Sequence, residues 1–224
     1  MDAMKDTTIV YYSSNRESPS LEKRAIQTIL ENCGNLPIIS VTQKPMDFGK
    51  NICVGEQPAC YSNAFKQLAI GLEEAKTTFA LAGEADCFYP PEYFRFEPPV
   101  EDKVYRYDNI YVYYPDKGKY GRFWKKLLCE GAQICGIKYW LENIDRVFAR
   151  VKKSRKEPSW EPVNHKKMGL IFGTRTEFSW TSENPVVSVK TRRGVNYGCG
   201  FFPGSYWQIP YWGTAQEVYE KWII

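Results

Sequence analysis

Glu84 and Asp86 are the side chains in this sequence whose type and spacing point most directly to chemistry. They stand two apart at the end of an apolar run, Thr78-Phe79-Ala80-Leu81-Ala82-Gly83, and a Pro90-Pro91 stop follows shortly after. Residues i and i+2 of a strand project to the same face. The spacing therefore predicts two carboxylates side by side at the carboxyl end of a buried strand. That is where open α/β sheets bind ligands. Two hard oxygen donors on one face suit Mn²⁺ or Mg²⁺, and such an ion suits a diphosphate. Acid-x-acid triplets are also common in solvated turns, so the pair has to be weighed by what surrounds it.

The elements before it set that context. Thr7-Thr8-Ile9-Val10-Tyr11-Tyr12 is β-branched and aromatic and reads as a first strand. It runs into the polar loop Ser13-Ser14-Asn15-Arg16. Ser18 and Pro19 then make an N-cap and first-turn pair. The helix they open carries Leu21, Ala25, Ile26, Ile29 and Leu30 on one face, and Gly34 fits just past its end. Residues 36–41 read as a second strand. The order strand, helix, strand predicts a parallel, doubly wound start. The loop after the first strand then shares a sheet edge with Glu84 and Asp86. It has neither the dinucleotide glycines nor a P-loop. Its hydroxyls, amide and guanidinium can instead hold a base, ribose or phosphate. Residues 42–60 read as irregular. A helix over 62–76, with Ser62 as its cap and Phe65, Leu68, Ala69, Leu72 and Ala75 on its apolar face, leads into the strand bearing the acids. Asn63 and Gln67 lie four apart near its N-terminus, where anions are favoured.

The second half is richer in strands. Residues 103–107 and 109–114 read as strands around a tight Asp108-Asn109 turn, 117–122 as a basic glycine-bearing loop, and 130–138 as a short strand or turn. A helix is expected over 139–149, followed by a solvated basic stretch over 150–156. Residues 185–190 form a last clear strand. The loop after it carries Arg192, Arg193 and Asn196 close behind Lys190, a grouping suited to a diphosphate. A closing helix over 214–224 should dock Val218 and Trp222 on the core.

Composition excludes several classes. The chain has 224 residues, 43% hydrophobic and 25% charged, which suits one sizeable domain. A net charge of +4 is too mild to imply nucleic acid by itself. No 18-residue apolar run is present, so no membrane span is expected. The opening residues lack an apolar signal core, and the seven cysteines form no Cys-x-x-Cys pair. A reduced, cytoplasmic setting is the expectation. His165 is the only histidine, which excludes multi-His zinc sites.

A strand, a polar loop, a helix, a second strand, then a helix leading to a strand that ends in acid-x-acid resembles the GT-A fold of nucleotide-sugar glycosyltransferases. In particular it is similar to small, divergent family 2 enzymes of the phage-like and metagenomic kind. The resemblance implies a single α/β domain, with a Rossmann-like, mostly parallel central sheet flanked by helices and a more β-rich, irregular C-terminal half. About 1–100 would bind the donor and about 101–224 the acceptor. Glu84-Ala85-Asp86 takes the place of the family's Asp-x-Asp motif, whose acids carry Mn²⁺ or Mg²⁺. Tyr11, Tyr12, Ser13, Ser14, Asn15 and Arg16 would hold the nucleoside, with Asn63 and Gln67 behind them and Lys190, Arg192 and Arg193 on the diphosphate. Glu130-Gly131-Ala132 followed by 138–145 is similar to the acceptor-side pattern.

The sequence departs from the family in two places. The first acid is Glu, and the usual Gly-Phe-Asp-Glu ending is replaced by Asn143-Ile144-Asp145-Arg146. Asp145 is the motif-derived catalytic base, with Glu130 and Glu177 competing. The implied activity is metal-dependent, inverting transfer from a nucleoside-diphosphate sugar, a UDP-sugar favoured, to an acceptor hydroxyl. A hydroxymethylated base in phage-type DNA is one acceptor that the basic loops fit. The alternatives are a nucleotidyltransferase of related fold and a non-enzymatic nucleic-acid-binding module using the basic loops and tyrosines.

Overall fold

The computed structural model describes residues 6–163, 165–173, 178–193 and 200–223, and only the backbone of His165. The chain order opens with β1 (Thr7–Ser13), α1 (Pro19–Asn32), β2 (Ile38–Thr42), β3 (Lys50–Cys53), α2 (Tyr61–Glu74), β4 (Phe79–Glu84) and β5 (Cys87–Phe88). It continues with β6 (Val104–Tyr107), β7 (Ile110–Tyr114), β8 (Arg122–Lys125), β9 (Gln133–Gly136), α3 (Ile137–Arg150) and α4 (His165–Met168). It ends with β10 (Phe178–Trp180), β11 (Val186–Val189), β12 (Gln208–Ile209), β13 (Gly213–Thr214) and α5 (Ala215–Val218).

The fold is α/β. A seven-stranded sheet runs in the order β10-β6-β9-β4-β1-β2-β3. Its centre is parallel: β1 pairs with β2 and β4, and β2 with β3, in the same direction. Only β9 runs against its neighbours β4 and β6. β1 is almost wholly buried because helices cover both of its faces. Ile9 and Tyr11 pack towards Ile29 of α1, whereas Val10 packs towards Phe65, Leu68 and Leu72 of α2 and Trp140 of α3. Small residues let α2 sit close to the sheet. A Cβ added at Gly71 would lie 2.4 Å from Val10 Cγ1.

A second, four-stranded sheet runs β5-β11-β7-β8. Its core joins Phe88, Tyr113, Phe123 and Val187 to Leu21 and Ala25 of α1 and to the C-terminal Trp212, Val218 and Trp222. Among the described residues no helix is long and apolar enough to cross a membrane.

Several expectations need correcting. The 42–60 stretch contains β3, which pairs with β2. The Asp108-Asn109 turn does not keep its flanking strands together: β6 joins the large sheet and β7 the small one. Asn109 holds that crossing, donating to the carbonyls of Ser182 and Glu183 and accepting from Lys125 Nζ. β8 begins at Arg122, the last residue of the stretch expected to be a loop, and runs on through residues that were given no element. Leu30 is 57% exposed, because the buried stripe of α1 runs through Leu21, Ala25 and Ile29. Cys60, not Ser62, precedes α2, and the Ser62 hydroxyl accepts from Val163 N–H instead. Ser18 does cap α1, accepting from Leu21 N–H at 3.2 Å. Val218 and Trp222 are buried as expected, although the closing helix passes from α5 into a π-helical turn over Tyr219–Ile223.

Candidate active site

The acids sit where the chain passes from one sheet to the other. β4 ends at Glu84, Ala85 and Asp86 form a turn, and Cys87 begins β5 in the small sheet. Asp86 is therefore not on a strand. The turn and the β5–β11 pairing place it, not the two-residue alternation. Its carbonyl accepts from Val189 N–H at 2.7 Å, and Lys190, one residue later, reaches Asp86 Oδ2 at 3.0 Å. Tyr12 pairs with Glu84 across β1 and β4, and its hydroxyl donates to Glu84 Oε1 at 2.5 Å. Glu84 N–H donates to the Tyr89 hydroxyl, which in turn donates to Gly131 carbonyl at 2.7 Å. Gly131 packs so tightly here that a Cβ would fall 2.3 Å from Glu84 Oε2.

These groups open onto a cleft of about 320 Å³ at the carboxyl ends of β1, β2 and β4. Its acids are Glu17, Glu84, Asp86 and Glu130, and its cations are Lys126 and Lys190. Tyr61, Asn63 and Phe65 from the start of α2 form one wall.

Burial, with the Asp86 charge beside it, pushes Glu84 up to about 8. Burial also disfavours ionisation of Asp86, but Lys190 and Lys126 outweigh it and hold that carboxyl below its ordinary value. One cleft thus sets two neighbouring carboxyls apart by environment. Glu130 is raised to about 7 by burial, with its Oε1 accepting from Ile171 N–H at 2.9 Å.

Glu84 Oε1 is engaged by Tyr12 and Asp86 Oδ2 by Lys190. The other oxygens, Glu84 Oε2 and Asp86 Oδ1, lie 3.8 and 3.5 Å from the Cys87 sulfur. Glu84, Cys87 and Cys129 bring ligand atoms within 4.8 Å of one another. The donor set fits a divalent cation, with the Glu84 carboxylate and two sulfurs within reach of one another.

No family model and no curated protein matches the chain. Glycosyltransferases are among the solved structures it is similar to. The mannosyltransferase PcManGT from Pyrobaculum calidifontis, in complex with GDP-Man and Mn²⁺, is 12% identical with a TM-score of 0.42, over 87% of this chain and 59% of that one. TarS from S. aureus is 9% identical with a TM-score of 0.40, over 62% and 30%. The apo-form glycosyltransferase GlyE of Streptococcus pneumoniae TIGR4 is 10% identical with a TM-score of 0.39, over 74% and 41%. The chain spans less than two thirds of the length of each.

Of the residues singled out from sequence, Tyr12, Ser13, Ser14, Asn63, Gln67, Glu84, Asp86, Glu130 and Lys190 line the cleft. Two of these serve the scaffold: Gln67 Nε2 donates to the carbonyls of Ser13 and Val41, and Asn63 Nδ2 to those of Pro58 and Trp160. Tyr11 is not at the cleft. It points into the core on the other face of β1 and donates to Glu22 at 2.8 Å. Asn15 is occupied by the backbone of Gln43 and Lys44, by Glu22 and by Met46. Arg16 donates to Gln57 carbonyl. Arg192 is 82% exposed beside Asp116, and neither it nor Arg193 lines the cleft. Asp145 is on the outer face of α3, 2.8 Å from Arg155, which also pairs with Glu73. Glu177 and Asn196 lie outside the described residues.

Sequence reasoning missed Glu17, Gln43, Lys126 and Cys129. Lys126 follows directly on β8, so reading that strand would have flagged a lysine turned inward at its end. Cys129 carries no local signal.

Proposed function

We propose that this chain transfers a sugar from a nucleoside-diphosphate sugar, a UDP-sugar favoured, to an acceptor hydroxyl, with a divalent cation in the cleft. One observation carries the reading. Two carboxylates and two lysines converge at the carboxyl end of a parallel sheet, in a cleft of about 320 Å³, a volume in the range that encloses small ligands. The likeness of Glu84-Ala85-Asp86 to an Asp-x-Asp motif supports it.

Glu84 would hold the ion, with Asp86 beside it, and the ion would supply positive charge to the diphosphate oxygens. Lys190 and Lys126 add fixed charge on the same side. They favour the state in which the bond from the anomeric carbon to the diphosphate breaks and its electron pair leaves with the phosphate. Tyr12 orients Glu84. For transfer with inversion, the acceptor oxygen forms the new bond from the opposite face and gives its proton to a carboxylate. Glu130 is the acid the cleft offers for that role: it is half-buried, lines the cleft and is raised by burial into the range where a carboxylate is an effective base at neutral pH.

The test is a screen of nucleoside-diphosphate sugars for metal-dependent hydrolysis. Mass analysis of hydroxymethylated DNA, glycan and peptide acceptors follows. Metal-dependent turnover of one donor, abolished by Glu84→Ala and by Asp86→Ala, is expected. A folded, metal-supplied chain that neither binds nor turns over any donor would sink the reading.

A further inference from the structure

We propose that Glu84, Cys87 and Cys129 form a thiophilic metal site, so that the ion in the cleft is Zn²⁺ and not Mn²⁺ or Mg²⁺. The inference deepens the proposed function and rests on its metal-binding cleft.

Three separate elements deliver the ligands: Glu84 from the end of β4, Cys87 from β5 and Cys129 from the segment before β9. Their ligand atoms lie within 4.8 Å of one another. Tetrahedral zinc, with Zn–S near 2.3 Å and Zn–O near 2.0–2.2 Å, places neighbouring ligand atoms about 3.5–3.8 Å apart. Cys87 Sγ stands 3.8 Å from Glu84 Oε2, a spacing that already matches. Both cysteines are buried, and neither is in a disulfide. Sulfur donors select Zn²⁺ over the oxygen-seeking Mg²⁺ and Mn²⁺.

The surroundings have the parts a zinc centre uses. The Tyr12 hydroxyl holds the second oxygen of Glu84, as an outer-shell partner does. Glu84 and Cys129 face the cleft while Cys87 is behind them. Three ligands therefore leave the fourth position open towards the space where a diphosphate oxygen would lie, the layout of a catalytic zinc and not of a closed structural one.

The whole chain, purified reduced and without added metal, should carry close to one zinc per molecule by elemental analysis. Zinc-free chain given Co²⁺ should develop a thiolate-to-cobalt charge-transfer band in the near ultraviolet. Stoichiometric Zn²⁺ should erase that band, whereas Mn²⁺ in roughly hundredfold excess should not. Cys87→Ser and Cys129→Ser should each lose most of the band. Cys53→Ser and Cys60→Ser should keep it, which separates this site from the more exposed thiols. Absence of both zinc and the cobalt band in the reduced wild-type chain overturns the inference, as does a band unchanged by Cys87→Ser and Cys129→Ser. Donor binding that needs Mn²⁺ without any cobalt–thiolate band would refute the zinc site and leave the glycosyltransferase reading standing. A cobalt–thiolate band with no donor binding would do the reverse.

Discussion

The Tyr12 hydroxyl and the missing side chain of Gly131 hold Glu84 from opposite sides, and each gives a sharp handle on the site. Tyr12→Phe removes the hydrogen bond to Glu84 Oε1 and little else, because the ring stays in place. Loss of such an outer-shell contact typically weakens metal binding about 10- to 100-fold. Gly131→Ala should do at least as much, since its methyl would fall 2.3 Å from Glu84 Oε2 and the carboxylate must leave its place. Titrating metal into each variant by calorimetry checks both, with unchanged circular dichroism expected. Wild-type affinity in Gly131→Ala would mean that Glu84 does not touch the ion. At this scale the acids were legible from their triplet. Cys129 was not, because it reaches Glu84 from more than forty residues along the chain and leaves no local spacing to read.

Among the elements, α2 has two tasks: it covers the sheet over Val10 and it supplies the Tyr61, Asn63 and Phe65 wall. Gly71 permits the first. Gly71→Ala would force a methyl to within 2.4 Å of Val10 Cγ1, and overpacking of this kind costs about 1–3 kcal/mol. The urea midpoint should fall by the corresponding amount, and because α2 must tilt away from β1, donor affinity should fall with it. A variant that loses stability but binds donor normally would show that the wall does not depend on the seating of α2. α1, α2 and α3 were readable from apolar periodicity because each buries one stripe on a sheet. β3 and β8 were not. β3 has an exposed, short sequence with little alternation, and β8 follows a loop rich in Lys and Gly that masks its start.

For the whole molecule, the site lies on the seam between the two sheets, with β4 and β9 from one and β5 and β11 from the other. An ion bound there ties the sheets together only in the folded chain. Metal at about 100 times its dissociation constant should therefore raise the unfolding free energy by about 2.7 kcal/mol. Urea titrations with metal and with chelator should differ by that amount in wild type and coincide in Glu84→Ala. Equal curves in wild type would show that the seam holds no ion. The sequence by itself determined the α/β class, the parallel start, the helices that flank it and the acid pair at a strand end. Each of those follows from periodicity, capping or turn residues within a few positions. The tertiary structure alone decided that β6 and β7 part to different sheets, that Asp145 and Tyr11 face away from the cleft, and that Lys126 and Cys129 come to Glu84 and Asp86. Those outcomes depend on which strands pair across long stretches of chain, and pairing is settled by the burial of whole faces, not by neighbouring residues.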